Sequence, residues 1–148
     1  MTLCTQNVDG FHQLAGSTDV IELHGNIRRS KCSRENIVIG QRAAAGETPP
    51  RCPGCGAYLR PDVVWFGERL PPAALEAAAQ AANTCDVFFS IGTSGLVEPA
   101  ASLARAAWRR GAVVVEVNPA ITPLTSRASF VLSGASGKIL PALIKAVW

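Results

Sequence analysis

Three apolar runs, each ending in small or polar residues and separated by helix-length segments, constrain this chain more than any other feature. Asp86-Val87-Phe88-Phe89-Ser90-Ile91-Gly92 reads as a buried strand that ends in Gly92-Thr93-Ser94-Gly95. Pro99 then opens a helix that stops at Gly111, and Ala112 to Val117 reads as a second buried strand ending at Asn118-Pro119. Phe130-Val131-Leu132 is the third, followed by Gly134-Ala135-Ser136-Gly137 and a helix to Trp148. Upstream, Pro71 and Pro72 open an alanine-rich helix to about Asn83, with proline in the first turn, where its missing N–H does no harm. Strands alternating with helices at these lengths call for βαβ crossovers and a parallel sheet, so the fold class is α/β. The polar strand ends would line one shared cleft. Their glycines allow a close backbone approach, and the helix amino-termini that follow favour anionic groups. A nucleotide is the natural occupant. One Gly-Ser turn alone is an ordinary loop; three at the same sheet edge argue for a site.

The amino-terminal part adds polar chemistry. Met1 to Thr5 reads as a short buried strand, and such a strand needs neighbours on both sides. It begins at the first residue, so the chain reads as the carboxyl-terminal portion of something longer. The run stops in Gln6, Asn7 and Asp9, two amides and a carboxylate able to hydrogen-bond hydroxyls and a carboxamide together. Taken alone, Asn, Asp and Gly this close together form a turn. A second apolar segment, Val20 to Asn26, runs into His24-Gly25, and His24 is the first candidate for chemistry because its ring can face a cleft. A lone histidine is more often structural. His12, after an aromatic residue on the polar loop, has less to recommend it.

Composition narrows the class. With 148 residues, 48% hydrophobic and 17% charged, the chain is one globular domain or one domain with a small appendage. No apolar run approaches the roughly 20 residues that cross a bilayer, and the start lacks a basic region followed by a signal-type segment. A cytoplasmic protein without a membrane partner is expected. The net charge of +3 partly reflects Arg28, Arg29, Lys31 and Arg34. Nucleic-acid binding would want aromatics interleaved in a longer basic face, so no nucleic-acid partner is expected. Lys31 to Pro61 changes character, rich in Arg, Gly, Pro and Ala, and reads as an inserted small module with a loop at Ala43 to Pro50. It carries Cys32, Cys52 and Cys55, and the tight C-x-x-C of Cys52 and Cys55 points to metal or redox chemistry in a cytoplasmic protein.

Taken in order, Thr5-Gln6-Asn7-Val8-Asp9-Gly10, His24-Gly25-Asn26, Cys52-x-x-Cys55, Val64-Trp65-Phe66-Gly67-Glu68, Gly92-Thr93-Ser94 and Val117-Asn118-Pro119 resemble the sirtuin family, the NAD-dependent protein-lysine deacylases. The Val-Val-Trp-Phe-Gly-Glu form looks most like the class III members, which include desuccinylases and bacterial deacetylases. The resemblance implies a Rossmann-like parallel sheet over residues 1–27 and 63–148, with a zinc-ribbon-like module at 28–62. It implies that Gln6 and Asn7 contact the nicotinamide ribose and an ordered water, that Val8 lies in the same cofactor segment, and that Asp9 holds the nicotinamide carboxamide. His24 would be the general base, with Asn7 also in the catalytic set. In the family mechanism the acyl-lysine oxygen attacks the ribose C1′, nicotinamide leaves and an alkylimidate forms. The base then activates a ribose hydroxyl, and the products are lysine, O-acyl-ADP-ribose and nicotinamide. A histidine suits this role because its ordinary pKa lies near working pH. By the same resemblance, Val64, Trp65, Phe66, Gly67 and Glu68, with Val97, would clamp an acyl-lysine protein or peptide as an added strand. Gly92, Thr93 and Ser94 would line the ribose and phosphate side of NAD. Asn118, with Pro119 and Ala120, would serve the adenosine ribose, and Ser136 would lie by the adenine.

Two departures from the family pattern carry expectations of their own. The family has two C-x-x-C pairs, whereas the first here reads Cys32-Ser33-Arg34-Glu35. Zinc accepts carboxylate oxygen, so Cys32, Cys52 and Cys55 with Glu35 form one reading; a module folded without metal is the other. The family's opening strand and Gly-Ala-Gly-x-Ser loop, which holds the NAD pyrophosphate, do not precede Met1. The Tyr-x-x-Arg region that reads acidic acyl groups is likewise not in this sequence. The expected activity is therefore NAD-dependent lysine deacylation, and the alternative is a catalytically silent fragment.

Overall fold

The computed structural model describes residues 1–41 and 48–147, and the chain folds as two compact units, Met1–Leu75 and Glu76–Trp148. The expected loop at Ala43 to Pro50 lies largely outside the described residues, as does Trp148 at the end of the last expected helix. No helix among the described residues is long and apolar enough to cross a membrane.

In the first unit, β1 (Leu3–Thr5) and β2 (Val20–Glu22) pair in parallel, joined through the short helix α1 (Phe11–Leu14). The expectation of a strand buried on both faces is corrected here: Cys4 is exposed, Leu3 is half-buried, and of the three only Thr5 is buried. A three-residue strand paired along one side offers its neighbours too little surface to cover both faces. The other sheet of this unit is antiparallel in the order β4-β3-β5, with β3 at Gly25–Cys32, β4 at Val38–Gln41 and β5 at Leu59–Val63. Gly25 faces Val63 across this ladder, with φ at +78°. A Cβ there would sit 2.1 Å from the Asp62 carbonyl oxygen, so the strands meet this closely only because residue 25 is glycine. The core of the module is small: Cys32, Cys52 and Leu59 are buried together, with Ile39, Cys55 and Ala57 packed against them.

The second unit is the α/β part expected from the strand pattern. It holds β6 (Val87–Ile91), β7 (Val113–Asn118) and β8 (Phe130–Ser133), all parallel in the order β6-β7-β8. Helix α3 (Ala101–Arg109) crosses over between β6 and β7, and α4 (Ser136–Val147) follows β8. Parallel pairing thus occurs in two hydrogen-bonded sheets, one in each unit. Helix α2 (Pro72–Thr84) starts at the second proline, as the sequence suggests, and buries Ala78 and Ala82. Strand β7 is the centre of its sheet and buries Val114, Val115, Glu116, Val117 and Asn118, as a parallel strand covered on both faces should. Ala104 and Leu124 pack on Val114, with Phe88 and Ala128 around them.

Candidate functional site

The first unit brings together the two features the sequence singles out, the polar segment after β1 and the histidine after β2. Both strands run the same way, so their carboxyl ends lie side by side and their loops share one edge. Main-chain bonds fix the pairing: the Leu23 N–H donates to Thr5 O at 3.0 Å and the Ile27 N–H to Val8 O at 2.8 Å. Between them, His24 Nδ1 lies 3.1 Å from the Gln6 carbonyl oxygen. A carbonyl only accepts, so this bond requires the proton on Nδ1 and leaves the Nε2 lone pair as the basic position of the ring.

The rest of the segment is held just as locally. The Asn7 N–H donates to Thr5 Oγ1 at 3.1 Å, and the Phe11 N–H donates to Asp9 Oδ1 at 2.9 Å, where Asp9 leads into α1. Arg28 Nε donates to the Asp9 carbonyl at 2.9 Å. Asn7 is exposed, and Gln6, Val8 and Asp9 are half-buried, so the segment offers polar atoms at the surface on an anchored backbone. His12 lies on α1, apart from this arrangement of bonds.

Of the basic cluster, Arg29 and Lys31 turn towards largely buried acids, while Arg28 and Arg34 stay exposed. Arg29 pairs with Glu22 at 2.6 Å and with Asp62 at 3.0 Å, and Lys31 pairs with Asp62 at 3.8 Å. Both carboxylates and the lysine are largely buried, which isolated charges would not tolerate; two acids and two bases here balance one another.

The Val64–Glu68 segment leaves β5 next to the histidine, because the Val64 N–H donates to the His24 carbonyl at 2.9 Å. The strand ends at Val63, and the residues after it form a turn rather than extending it. The Trp65 N–H donates to Glu68 Oε2 at 3.0 Å and the Glu68 N–H to Trp65 O at 2.9 Å. Arg60, which the sequence reading passed over, clamps this turn: it pairs with Glu68 at 2.6 Å and stacks over the Trp65 ring at 4.3 Å. The Trp65 amide, and then Arg60, hold the Glu68 carboxyl below its ordinary range. Phe66 is fully exposed, and Gly67 beside it is exposed.

In the module, Cys32, Glu35, Cys52 and Cys55 bring their ligand atoms within 4.8 Å of one another. The Cys32 and Cys55 sulfurs lie 3.4 Å apart. Tetrahedral zinc with thiolate ligands needs sulfurs about 3.8 Å apart, so these four residues fit such an ion with little movement. The Glu35 N–H donates to Cys32 Sγ at 3.4 Å and is the leading reason that the Cys32 thiol is drawn below its usual range. All five cysteines are free thiols.

The second unit places its candidates at the carboxyl ends of β6 and β7. Asn118 is buried, and its carboxamide is used at both ends: Nδ2 donates to Thr93 O at 2.7 Å, and Oδ1 accepts the Ala120 N–H at 3.1 Å. It therefore fixes the Thr93 and Ala120 backbones, with one N–H and one lone pair remaining for a ligand. The Gly92 N–H donates to Val117 O at 2.9 Å, and a Cβ on Gly92 would meet open space. Ser94 is exposed and its Oγ accepts the Leu96 N–H at 3.4 Å; Val97 is 45% exposed and Pro119 is also open. Ser136 begins α4, where the helix favours anionic groups. Each unit thus presents its own polar groups at the carboxyl ends of parallel strands, amides in the first and hydroxyl, amide and main-chain groups in the second.

One further buried acid went unread. Glu116 is 1% exposed and accepts from the hydroxyls of Thr122 and Thr125, the latter at 2.6 Å. A lone Glu inside Val113–Val117 was the available signal.

A profile described as the Sir2 family matches residues 1–99. A protein of Methylococcus capsulatus, called NAD-dependent protein deacylase, is 51% identical over 99% of this chain and 61% of its own length. One from Caldanaerobacter subterraneus, called NAD-dependent protein deacylase 1, is 53% identical over 84% of this chain and 52% of its own length. Among solved structures, a Sir2 homolog in complex with NAD superposes with a TM-score of 0.93 at 43% identity, covering 99% of this chain and 58% of that one. A Sir2 bound to an acetylated peptide gives a TM-score of 0.89 at 31% identity, covering 99% of this chain and 63% of that one. The chain therefore spans less than two thirds of each protein it matches here.

Proposed function

The chain belongs to the Sir2 family, and from that premise we propose that it works in NAD-dependent removal of acyl groups from protein lysines, with His24 as the general base. The observation that carries this reading is the 3.1 Å contact between His24 Nδ1 and the Gln6 carbonyl. It puts the ring proton on the side facing the loop and keeps Nε2 able to take a proton from a ribose hydroxyl. NAD, when bound, supplies the ADP-ribose that accepts the acyl group and the nicotinamide that leaves.

The chain's own residues do the rest. Gln6 and Asn7 hydrogen-bond the nicotinamide ribose and its water, Val8 lies against the same part of the cofactor, and Asp9 takes the carboxamide with the oxygen that Phe11 does not use. Val64, Trp65, Phe66, Gly67 and Glu68 guide the acyl-lysine peptide, and the Val64 N–H bond to the His24 carbonyl ties that segment to the base. Val97 adds a further peptide contact. Gly92, Thr93, Ser94, Asn118, Pro119, Ala120 and Ser136 serve the ribose, phosphate and adenine of NAD.

Cys32, Cys52, Cys55 and Glu35 hold zinc in the module at 28–62, where the metal would support folding rather than reaction. A reducing, cytoplasmic setting suits five free thiols. The acyl group is acetyl or succinyl.

The test incubates the chain with NAD and two lysine peptides, one acetylated and one succinylated, and searches by mass spectrometry for O-acyl-ADP-ribose. Product from either peptide supports the reading and ranks the acyl groups. His24→Ala should abolish product while NAD still binds. Loss of binding and product together would make His24 structural, and a folded chain that forms no product overturns the assignment for the chain by itself.

A further inference from the structure

The proposed base is held by one hydrogen bond to a loop carbonyl, so the question is what holds the loop. Its backbone is bonded at Thr5, Val8 and Asp9, and the Asp9 bond comes from a side chain, Arg28 Nε at 2.9 Å. The Arg28 amide is itself bonded to Asn26 Oδ1 at 2.9 Å. Asn26 is buried, and its Nδ2 donates to Glu22 Oε1 at 2.6 Å. Glu22 Oε1 also accepts from Gln13 Nε2 of α1 at 2.8 Å, while Oε2 takes Arg29 at 2.6 Å. Loop and network touch at Gly10, where a Cβ would meet Asn26 Nδ2 at 3.0 Å and Arg28 Cδ at 3.1 Å. One carboxylate, two residues before the histidine, thus gathers Gln13 of α1 and Asn26 and Arg29 of β3 around the turn that carries His24.

We infer that Glu22 is a positioning residue for His24: through Asn26 and Arg28 it holds the Gln6–Asp9 loop whose Gln6 carbonyl orients the imidazole. This rests on the reading of His24 as the base, but the geometry can be tested without turnover. Its two oxygens act differently. Oε1 leads through Asn26 to the loop, whereas Oε2 joins the Arg29–Asp62–Lys31 pairs. Replacing Glu22 by Gln keeps an Oε1 acceptor for Asn26 and Gln13 but turns an N–H towards Arg29. Replacing it by Ala removes the acceptor too.

The test reads the ring directly in the intact chain. Isotope-labelled histidine and long-range proton–nitrogen NMR at neutral pH distinguish the Nδ1–H from the Nε2–H form, and His12→Gln assigns the signals. The wild-type His24 should be mainly Nδ1–H. In Glu22→Ala the ratio of Nδ1–H to Nε2–H should fall about fivefold, the equilibrium worth of one ordinary hydrogen bond. Glu22→Gln should restore it. Arg28→Met, a change to an exposed side chain further along the same path, should lower it as Glu22→Ala does, and it decides the matter if Glu22→Ala fails to fold. Leu124→Ala, which destabilises the other unit, should leave the ratio alone.

A wild-type ring already in the Nε2–H form, an unchanged ratio in folded Glu22→Ala or in Arg28→Met, no rescue by Gln, or an equal fall in Leu124→Ala would each overturn the inference. Because no cofactor is needed, a chain that shows this pattern yet never deacylates a peptide defeats the functional reading alone. A chain that turns over with an unchanged ratio defeats only the role given to Glu22.

Discussion

The two units reach stability by different chemistry, and the contrast is clearest in their buried clusters. In the first, Cys32, Cys52 and Leu59 form the centre of the module, and the neighbouring interior holds Asn26, Ser30, Lys31 and Asp62. In the second, Ala104, Val114 and Leu124 interlock on a sheet whose central strand is almost wholly buried. Aliphatic packing is non-directional and tolerates small adjustments, whereas thiols and charges hold only while every partner is in place. The unit that carries the proposed base is therefore the one whose structure depends on bonds of defined direction. Such bonds can fix a ring tautomer, and apolar contacts cannot.

The contrast can be broken most severely at the thiols. Zinc is expected at one ion per chain by elemental analysis. A strong chelator, or Cys52→Ser, should unfold the module while the protected amides of β6 and β7 persist in hydrogen exchange, because metal binding in such modules supplies about 10 kcal/mol or more of folding energy. Glu35→Cys should bind zinc more tightly, and Glu35→Ala more weakly. A module that keeps its protection with the metal stripped would show that local packing suffices.

Next in size is Gly25→Ala. The added Cβ meets backbone at 2.1 Å on a residue with positive φ, so the β3–β5 pairing must part, at a cost of about 3–4 kcal/mol in the first unit alone. Leu124→Ala, read by thermal or urea unfolding, should cost about 3 kcal/mol through lost burial and a residual cavity, with the effect confined to the second unit. If that substitution also released zinc, the two units would not be energetically separate.

Smaller effects sharpen the picture. Thr125→Val removes one of the two hydroxyls on Glu116, the buried acid of the second unit, and should cost about 1–3 kcal/mol. The least costly perturbation is pH at the Trp65–Glu68 turn. The Glu68 carboxyl titrates below its ordinary value because the Trp65 amide and Arg60 favour its charged form. Its contribution is therefore complete above the ordinary carboxylate range and disappears as pH falls through the lowered value. Trp65 fluorescence should report the turn loosening in acid below the ordinary carboxylate range with no change at neutral pH, and Arg60→Met should move that transition upward.

Much of this was legible along the chain because its causes are local. The strands β6, β7 and β8 followed from β-branched runs cut by Gly and Asn, α2 from two prolines and a run of alanines, and the C-x-x-C from spacing alone. Arg60 could not be read this way, since its partners Trp65 and Glu68 meet it only through a turn that the Val64–Glu68 run, rich in strand-forming residues, did not announce. The partners of the basic cluster could not be read this way either: Arg28, Arg29 and Lys31 are near neighbours in sequence, yet they bond the Asp9 carbonyl, Glu22 and Asp62.

By itself, then, the sequence determined the three parallel strands of the second unit, the polar segments that end them, and which thiols and histidine are candidates for chemistry, because periodicity and turn propensity act over a few neighbours. Only the tertiary structure decided that His24 Nδ1 lies against the Gln6 carbonyl, that Glu22 and Asp62 balance the arginine and lysine beside them, and that Glu35 lies with the thiol cluster. Each of these is a contact between side chains or backbone brought together by pairing of strands, and a hydrogen bond or ion pair depends on distances of a few tenths of an ångström that no local pattern encodes.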